Sequence, residues 1–151
     1  YKMNPPLRTK EDVEALQKGL ADDIMDVIAT DHAPHAASEK DQGIQKAPFG
    51  IVGLETAAAL TYTALVKPGI LTPMQMAEKM SYNPAKILGL DKGTVEAGSP
   101  ADLTIFDPEC EWVIDPAEFL SKGKNTPFGG KKVTGKVMAT IVDGEIVYQE
   151  K

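Results

Sequence analysis

The fold of this chain is decided by the stretch IMDVIATDHAPH, residues 24–35. Residues 24–30 are apolar and rich in β-branched side chains, and only Asp26 interrupts the run. A short run of this kind is typical of a parallel β-strand that is covered on both faces. We therefore predict a buried parallel strand that ends at Asp31.

Both histidines of the chain, His32 and His35, follow directly after this strand end. In a β/α barrel the carboxyl ends of the strands face the active site. Asp offers an anionic oxygen and His a neutral nitrogen, and either can bind a metal or a substrate. The other interpretation is a turn at Pro34 with two solvated histidines. The residues alone leave both open, because two histidines three positions apart are a weak metal signature.

Helices are predicted on both sides of this segment. The spacing of Thr9 and Asp12 predicts a capping box that starts a helix with one apolar stripe. Residues 32–50 show no sustained periodicity, so we predict a long loop whose polar part is mobile. Further helices are expected over residues 51–66, from the cap sequence beginning at Thr72, and from Asn83.

Beyond residue 90 the sequence changes to short strand-like runs separated by Gly and Pro. These runs are residues 94–96, 103–106, 111–114, 133–142 and 145–149. The last two flank Asp143-Gly144, which is a strong signal for a β-hairpin. We therefore predict two domains, an α/β portion over residues 1–90 and a small antiparallel β-domain over residues 91–151.

Composition excludes several classes of function. The 151 residues are 42% hydrophobic and 25% charged, which is typical of a globular chain. Sixteen basic against 22 acidic residues give a net charge of −6, so nucleic acid and anionic membranes are poor partners. No apolar run approaches the ~18 residues of a membrane span, and no signal peptide is visible, so we expect a cytoplasmic protein. The single cysteine, Cys110, leaves His and carboxylate as metal ligands.

Six segments of the sequence resemble consecutive motifs of the class I dihydroorotases, a family of the amidohydrolase superfamily. They are residues 1–8, 30–35, 47–51, 82–85, 93–107 and 125–128. The resemblance implies a (β/α)8 barrel that holds two zinc ions, with a small β-domain. It also implies that this chain is the C-terminal part of a longer protein, an expectation that fits the start at Tyr1.

The resemblance further assigns roles to individual residues. Of the family's metal ligands only the late aspartate matches, at Asp31, so the zinc site of the whole protein would be incomplete in this chain. In the family, a metal-bound water attacks the cyclic amide carbonyl and a carboxylate takes and returns the proton. Asp31 would therefore be both metal ligand and catalytic acid/base. Asn4 and His35 match positions that contact dihydroorotate, and Phe49 and Gly50 match a loop that approaches the substrate ring through its backbone.

Each of these assignments has a structural alternative. Asp31 could serve only as a turn or helix cap, Asn4 could be a turn residue before Pro5, and Phe49 could be a core aromatic residue. His32 matches no functional position, and we expect it either to support the residues that contact metal or substrate or to be structural.

The implied activity is the zinc-dependent, reversible cyclisation of N-carbamoyl-L-aspartate to dihydroorotate in pyrimidine biosynthesis. The alternatives are a hydantoinase- or allantoinase-type cyclic amidohydrolase, and a non-catalytic dihydroorotase-like subunit. His35 and Asn4 favour dihydroorotase, because a substrate that bears a carboxylate explains a donor at His35. The expected partners are this small-molecule substrate and further copies of the chain in a homo-oligomer. The chain alone is expected to be inactive and to bind zinc poorly.

Overall fold

The computed structural model describes residues 1–150, in which helices come first and an antiparallel sheet follows. The α-helices are α1 (Lys10–Ala21), α2 (Ala37–Lys40), α3 (Gly43–Lys46), α4 (Ala57–Thr61), α5 (Pro73–Ala77) and α6 (Asn83–Leu88). The strands are β1 (Leu103–Val113), β2 (Lys132–Val142) and β3 (Glu145–Gln149). Short π-helical turns at Tyr62–Val66 and Glu78–Tyr82 continue α4 and α5, and a 3₁₀ turn lies at Pro116–Glu118. The chain is therefore α/β, as expected.

The helix ends form where the sequence predicts them. The Thr9 side chain caps α1 and exchanges hydrogen bonds with Asp12, which completes a capping box. Thr72 and Gln75 do the same for α5, with Pro73 in the first turn. Such caps satisfy N–H groups that have no partner inside the helix.

The three strands form one antiparallel sheet in the order β1-β2-β3. Asp143 and Gly144 join β2 to β3 with φ values of 50° and 83°, so the predicted hairpin is confirmed. The two runs predicted at 103–106 and 111–114 are largely one strand, with a register shift between Asp107 and Glu111. Pro108 lies in this irregular stretch, where a missing N–H costs no ladder hydrogen bond. No strand forms at residues 94–96.

Two groups of buried apolar side chains form the core. The first joins both parts of the chain, since Val52 and Ala59 pack with Ile114, Phe119 and Val133 of the C-terminal half. The second lies within the N-terminal half, around Leu65, Val66 and Leu71, and Ile28 packs against it. The boundary near residue 90 remains a prediction, and the first group shows that the two parts share a core.

The predicted strand at residues 24–30 is wrong for this structure, because the segment has neither strand nor helix assignment. A parallel strand needs hydrogen-bonded neighbours on its sheet, and among residues 1–150 this segment meets helical residues instead. The Ile28 N–H donates to the carbonyl of Lys79 (3.0 Å), and the Asn83 side chain donates to the carbonyl of Asp26 (2.9 Å).

Lys79 fixes the start of the same segment. Its side chain is 1% exposed, and Nζ donates to Asp23 Oδ1 (2.8 Å) and to the carbonyl of Met25 (2.9 Å). The buried ammonium therefore has both an anionic and a neutral acceptor, as a buried charge requires. These contacts of Lys79 fix the position of residues 23–25, which lead toward Asp31.

The long loop predicted over residues 32–50 is also more regular than expected, since it contains α2 and α3. Both are single turns of four residues, too short to show a helical period in the sequence. The mobility of this loop remains a prediction. None of the helices in the described part of the chain has the length and apolar character needed to cross a membrane.

Candidate active site

Asp31 lies on the surface with a backbone φ of 46°. This left-handed conformation is costly for most residues that carry a Cβ, and Asp and Asn adopt it more readily than others. No hydrogen bond or ion pair joins the Asp31 carboxylate to another residue among 1–150. The carboxylate of Asp31 is exposed and unpaired, so it is available for contact with a ligand.

His32 is held by the backbone that leads into α4. Its Nδ1 accepts hydrogen bonds from the N–H groups of Gly53 (3.0 Å) and Leu54 (3.3 Å). Because Nδ1 accepts both, the neutral ring carries its proton on Nε2. Its backbone N–H also donates to Thr30 Oγ1 (3.3 Å). These contacts fix the His32 ring against the backbone that leads into α4.

His35 contacts the predicted substrate loop directly. Its Nε2 lies 2.9 Å from the carbonyl oxygen of Phe49, so this nitrogen is the donor. Its Nδ1 lies 3.8 Å from Glu39 Oε2. The structure therefore brings His35 and Phe49 together, with Glu39 on the other side of the His35 ring.

Phe49 is 55% exposed, which contradicts its interpretation as a core aromatic residue. The Nζ of Lys2 lies 4.5 Å from the centre of its ring, a cation–π contact. The side chain thus lies at the surface beside a positive charge.

Gly50 adopts a φ of 128°, which side chains with a Cβ rarely allow. A Cβ placed there would lie 2.4 Å from Ala33 Cβ and 3.4 Å from His35 Nε2. Glycine is therefore required for residues 49–50 to pack against residues 33–35.

Lys40 organises the same loop, and nothing in the sequence pattern points to it. Its Nζ donates to the carbonyls of Pro48 (2.8 Å), Gly50 (3.0 Å) and Lys2 (3.2 Å). Three carbonyls around one ammonium tie α2 to the segment before Gly50. Lys2 in turn accepts from the Gly50 N–H (3.0 Å) through its own carbonyl.

Asn125, which lies between Pro116–Glu118 and β2, reaches the same place from the C-terminal half. Its Nδ2 donates to the carbonyls of Gly50 (2.9 Å) and Ala33 (3.4 Å), and its Oδ1 accepts from the His35 N–H (3.3 Å). Its backbone carbonyl accepts from the Val52 N–H (3.0 Å). Asn125 belongs to the motif at residues 125–128, but no feature of the sequence assigns it a role.

A cavity of about 450 Å³ adjoins His35 and Asn125. The charged residues that line it are Lys2, Lys40, Lys122, Lys124 and one carboxylate, Asp41. This excess of positive charge favours an anionic ligand. The cavity does not reach Asp31.

Asn4 is exposed, and no hydrogen bond joins it to His35, to Asp31 or to any other of residues 1–150. Its predicted contact with a substrate remains a prediction.

Asp31 suits a metal as one carboxylate ligand, but residues 1–150 do not assemble a metal site around it. They contain no group of three or more His, Cys, Asp or Glu side chains placed to hold one ion. A catalytic zinc takes at least three protein ligands. Nδ1 of His32 and Nε2 of His35 are already engaged.

Comparison with known proteins agrees with the family to which the motifs point. The model of the amidohydrolase family matches residues 4–147. The chain belongs to the amidohydrolase family. The match covers both the helical part and the sheet.

Within this family, the chain is similar to dihydroorotases. Those of Pelotomaculum thermopropionicum and Halalkalibacterium halodurans are 55% and 56% identical to it over 150 and 151 residues. The alignments cover 99% and 100% of this chain and 35% of each relative. The amidohydrolase chain described here thus spans about 35% of the length of these relatives. The resemblance to dihydroorotases is confirmed.

Solved structures of hydantoinases and dihydropyrimidinases share the fold. The L-hydantoinase (dihydropyrimidinase) of Arthrobacter aurescens superimposes with a TM-score of 0.92 at 35% identity, covering 98% of this chain and 34% of that one. The dihydropyrimidinase of Brevibacillus agri gives a TM-score of 0.94 at 28% identity, covering 99% and 34%. The arrangement of helices and sheet is therefore one that these larger proteins contain.

Proposed function

We propose that this chain is part of a dihydroorotase, which reversibly cyclises N-carbamoyl-L-aspartate to dihydroorotate in pyrimidine biosynthesis. The observation that carries the proposal is the identity of 55–56% to dihydroorotases along essentially the whole chain. The solved hydantoinases and dihydropyrimidinases named above are 28–35% identical, which supports the alternative less well.

Asp31 is the proposed catalytic residue. In the hydrolytic direction its carboxylate accepts a proton from the attacking water while the water oxygen bonds to the amide carbon. It then returns the proton to the ring nitrogen as the C–N bond breaks. The exposure of Asp31 and its lack of an internal partner support this role.

We also propose that the whole protein uses zinc, with Asp31 as one ligand and the other ligands outside residues 1–150. When bound, zinc would lower the pKa of a water molecule and polarise the amide carbonyl. The run at residues 24–30 would then complete its hydrogen bonds as a barrel strand beside neighbours from the rest of the protein.

His35, Asn4, Phe49 and Gly50 are the proposed substrate-binding residues. His35, Phe49 and Gly50 lie together in this structure. The His35 ring donates a hydrogen bond to the Phe49 carbonyl, and Gly50 packs against Ala33. For Asn4 the proposal rests on the matched motif alone.

Substrate preference tests the proposal. The whole protein that carries this chain is assayed, metal-loaded, against dihydroorotate, hydantoin and allantoin. We expect kcat/KM for dihydroorotate to exceed that for the other two by about 100-fold, because charged hydrogen bonds to the carboxylate are lost without it. A preference for hydantoin or allantoin would establish the alternative, and no turnover of any substrate would indicate a non-catalytic subunit.

Dihydrouracil provides a matched substrate, since it is dihydroorotate without the carboxylate. His35→Ala removes the hydrogen bond to the Phe49 carbonyl for either substrate, so KM for dihydrouracil should rise as well. KM for dihydroorotate should rise about tenfold more, because only dihydroorotate also loses a contact to its carboxylate. An equal effect on both substrates would show that His35 does not recognise the carboxylate.

A further inference from the structure

We propose that Asn125 is a positioning residue that holds His35 and Gly50 in the orientation needed to bind substrate. The inference rests on the proposed function and adds to it a residue from the C-terminal half of the chain. Asn125 makes no hydrogen bond to Asp31, so it would act on substrate binding through the two loop segments that it joins.

The first support is the completeness of its hydrogen bonds. Oδ1 accepts from the His35 N–H, and Nδ2 donates to the carbonyls of Gly50 and Ala33. Only an amide can accept on one side and donate twice on the other from this position. An aspartate would place a carboxylate oxygen against two carbonyl oxygens, and an alanine would remove all three bonds.

The second support is the packing of the segment that carries Asn125. A Cβ on Gly123 would lie 2.8 Å from Pro34 Cβ and 3.0 Å from the backbone nitrogen of His35. Gly123 is also buried, so the backbone of residues 123–125 packs closely against residues 34–35. The Asn125 amide is therefore presented to the loop by close backbone contact.

The third support is that the bonded groups belong to the substrate loop. The Gly50 carbonyl bonded by Asn125 follows Phe49, whose carbonyl accepts from the His35 ring. Asn125 thus closes a ring of contacts, from the His35 backbone to Gly50, to Phe49, and back to the His35 side chain. Loss of the Asn125 hydrogen bonds should therefore make both the His35 ring and the backbone at Gly50 more mobile.

The kinetic test uses the whole protein with Asn125→Ala and Asn125→Asp. Asn83→Ala is the matched control, since Asn83 also donates a 2.9 Å hydrogen bond to a backbone carbonyl, that of Asp26, outside this loop. We expect KM for dihydroorotate to rise about tenfold or more in both Asn125 variants, with kcat within about threefold of wild type. The control should keep the wild-type KM. An unchanged KM, or a fall in kcat alone, would overturn the proposal.

Amide hydrogen exchange provides a readout that does not depend on turnover. In Asn125→Ala the His35 N–H loses its acceptor, so its exchange should accelerate about tenfold. The Val52 N–H should be unaffected, because its acceptor is the backbone carbonyl of residue 125. Unchanged exchange at His35 would refute the positioning role. Faster exchange at His35 in a protein that does not hydrolyse dihydroorotate would refute the proposed function and leave the anchoring of the loop intact.

Discussion

At the scale of single residues, Asp31 combines a strained backbone with an unpaired carboxylate. Backbone strain of this kind costs of order 1–3 kcal/mol and occurs often at functional sites. Aspartate adopts this conformation more readily than most residues, and Asp23 and Asp143 adopt it too, so the φ of 46° does not by itself mark a site. The unpaired carboxylate is the stronger support for a functional role, since it caps nothing among residues 1–150.

Two substitutions of Asp31 distinguish the role of its carboxylate in catalysis from the role of its backbone conformation in stability. Asp31→Asn keeps a side chain that tolerates positive φ, so the melting temperature of the whole protein should stay within about 2 °C. Its turnover of dihydroorotate should fall about 10³-fold. Asp31→Ala should lose the same activity and, in addition, about 1 kcal/mol of stability. Thermal unfolding and initial rates measure both effects. Retention of more than about a tenth of wild-type turnover in Asp31→Asn would argue against the catalytic role.

Gly50→Ala tests whether the loop needs glycine for space as well as for conformation. The added Cβ meets both a positive φ and the side chain of Ala33, so we expect a loss of about 3 kcal/mol or more in the free energy of unfolding. Gly69→Ala is the matched control, because Gly69 has a φ of 81° but no atom within 4 Å of its Cβ position. It should cost about 1–2 kcal/mol. Equal losses in urea titrations of the two variants would contradict the packing at Ala33.

The sequence predicts some of these residues and misses others for physical reasons. Asp31 and His35 follow an apolar run and carry reactive groups, so pattern and resemblance both point to them. Lys40 acts through carbonyls that belong to distant residues, and no local pattern shows where its ammonium will lie. Phe49 could be read as a core residue, because apolar character alone does not distinguish a core position from an exposed loop.

At the scale of elements, the β2-β3 hairpin is secured from outside the sheet. Asp102 Oδ1 accepts from the Asp143 N–H (2.8 Å), and Gly144 donates to the carbonyl of Ala101 (3.1 Å). Lys92 pairs with the same Asp102 carboxylate. The hydrogen bond from Lys92, followed by that from the Asp143 N–H, holds the pKa of Asp102 below its usual value.

This lowered pKa predicts a pH dependence. The charged form of Asp102 is favoured by folding, so its contribution is complete above the unfolded pKa of about 3.9 and is lost as pH falls through the lower folded pKa. Urea unfolding should show Asp102→Asn less stable than wild type at pH 7, with the difference shrinking below about pH 4. Asp115→Asn is a useful comparison, because Asp115 accepts a backbone N–H but has no Lys partner. If the stability difference between Asp102→Asn and wild type stays constant down to pH 2, the charge of Asp102 does not contribute to folding.

Elements defined by local chemistry are those that the sequence predicts well. The capping boxes at Thr9 and Thr72 and the Asp143-Gly144 turn need only neighbouring residues, and all three form. The run at residues 24–30 fails as a strand because a strand depends on partners elsewhere in space. The single-turn helices α2 and α3 are too short for a periodic signal.

At the scale of the whole molecule, the described residues leave apolar surface uncovered. No residue of α1 is buried, and Val13 and Leu16 on its apolar stripe are 44% and 52% exposed. Ile24 and Leu88 are 75% and 71% exposed. Exposed apolar surface of this extent favours association.

We therefore expect residues 1–151, prepared alone, to self-associate in a concentration-dependent way. Light scattering coupled to gel filtration measures the mass, and isothermal titration with zinc measures metal binding. We expect a mass above that of the monomer, no zinc site tighter than about the micromolar range, and no dihydroorotate turnover, because one ligand of at least three is present. A monomer that binds zinc stoichiometrically and turns over dihydroorotate would refute the view that the site needs residues from elsewhere.

The central claim, that this chain supplies the Asp31 part of a dihydroorotase site, is tested most directly by transplantation. The 151 matched residues of the Halalkalibacterium halodurans dihydroorotase are replaced by this chain, to which they are 56% identical, and dihydroorotate hydrolysis is measured beside the parent enzyme. We predict turnover within about tenfold of the parent and its loss, by about 10³-fold, in the same chimera carrying Asp31→Asn. A folded, metal-loaded chimera without turnover, or one in which Asp31→Asn remains fully active, would contradict the claim.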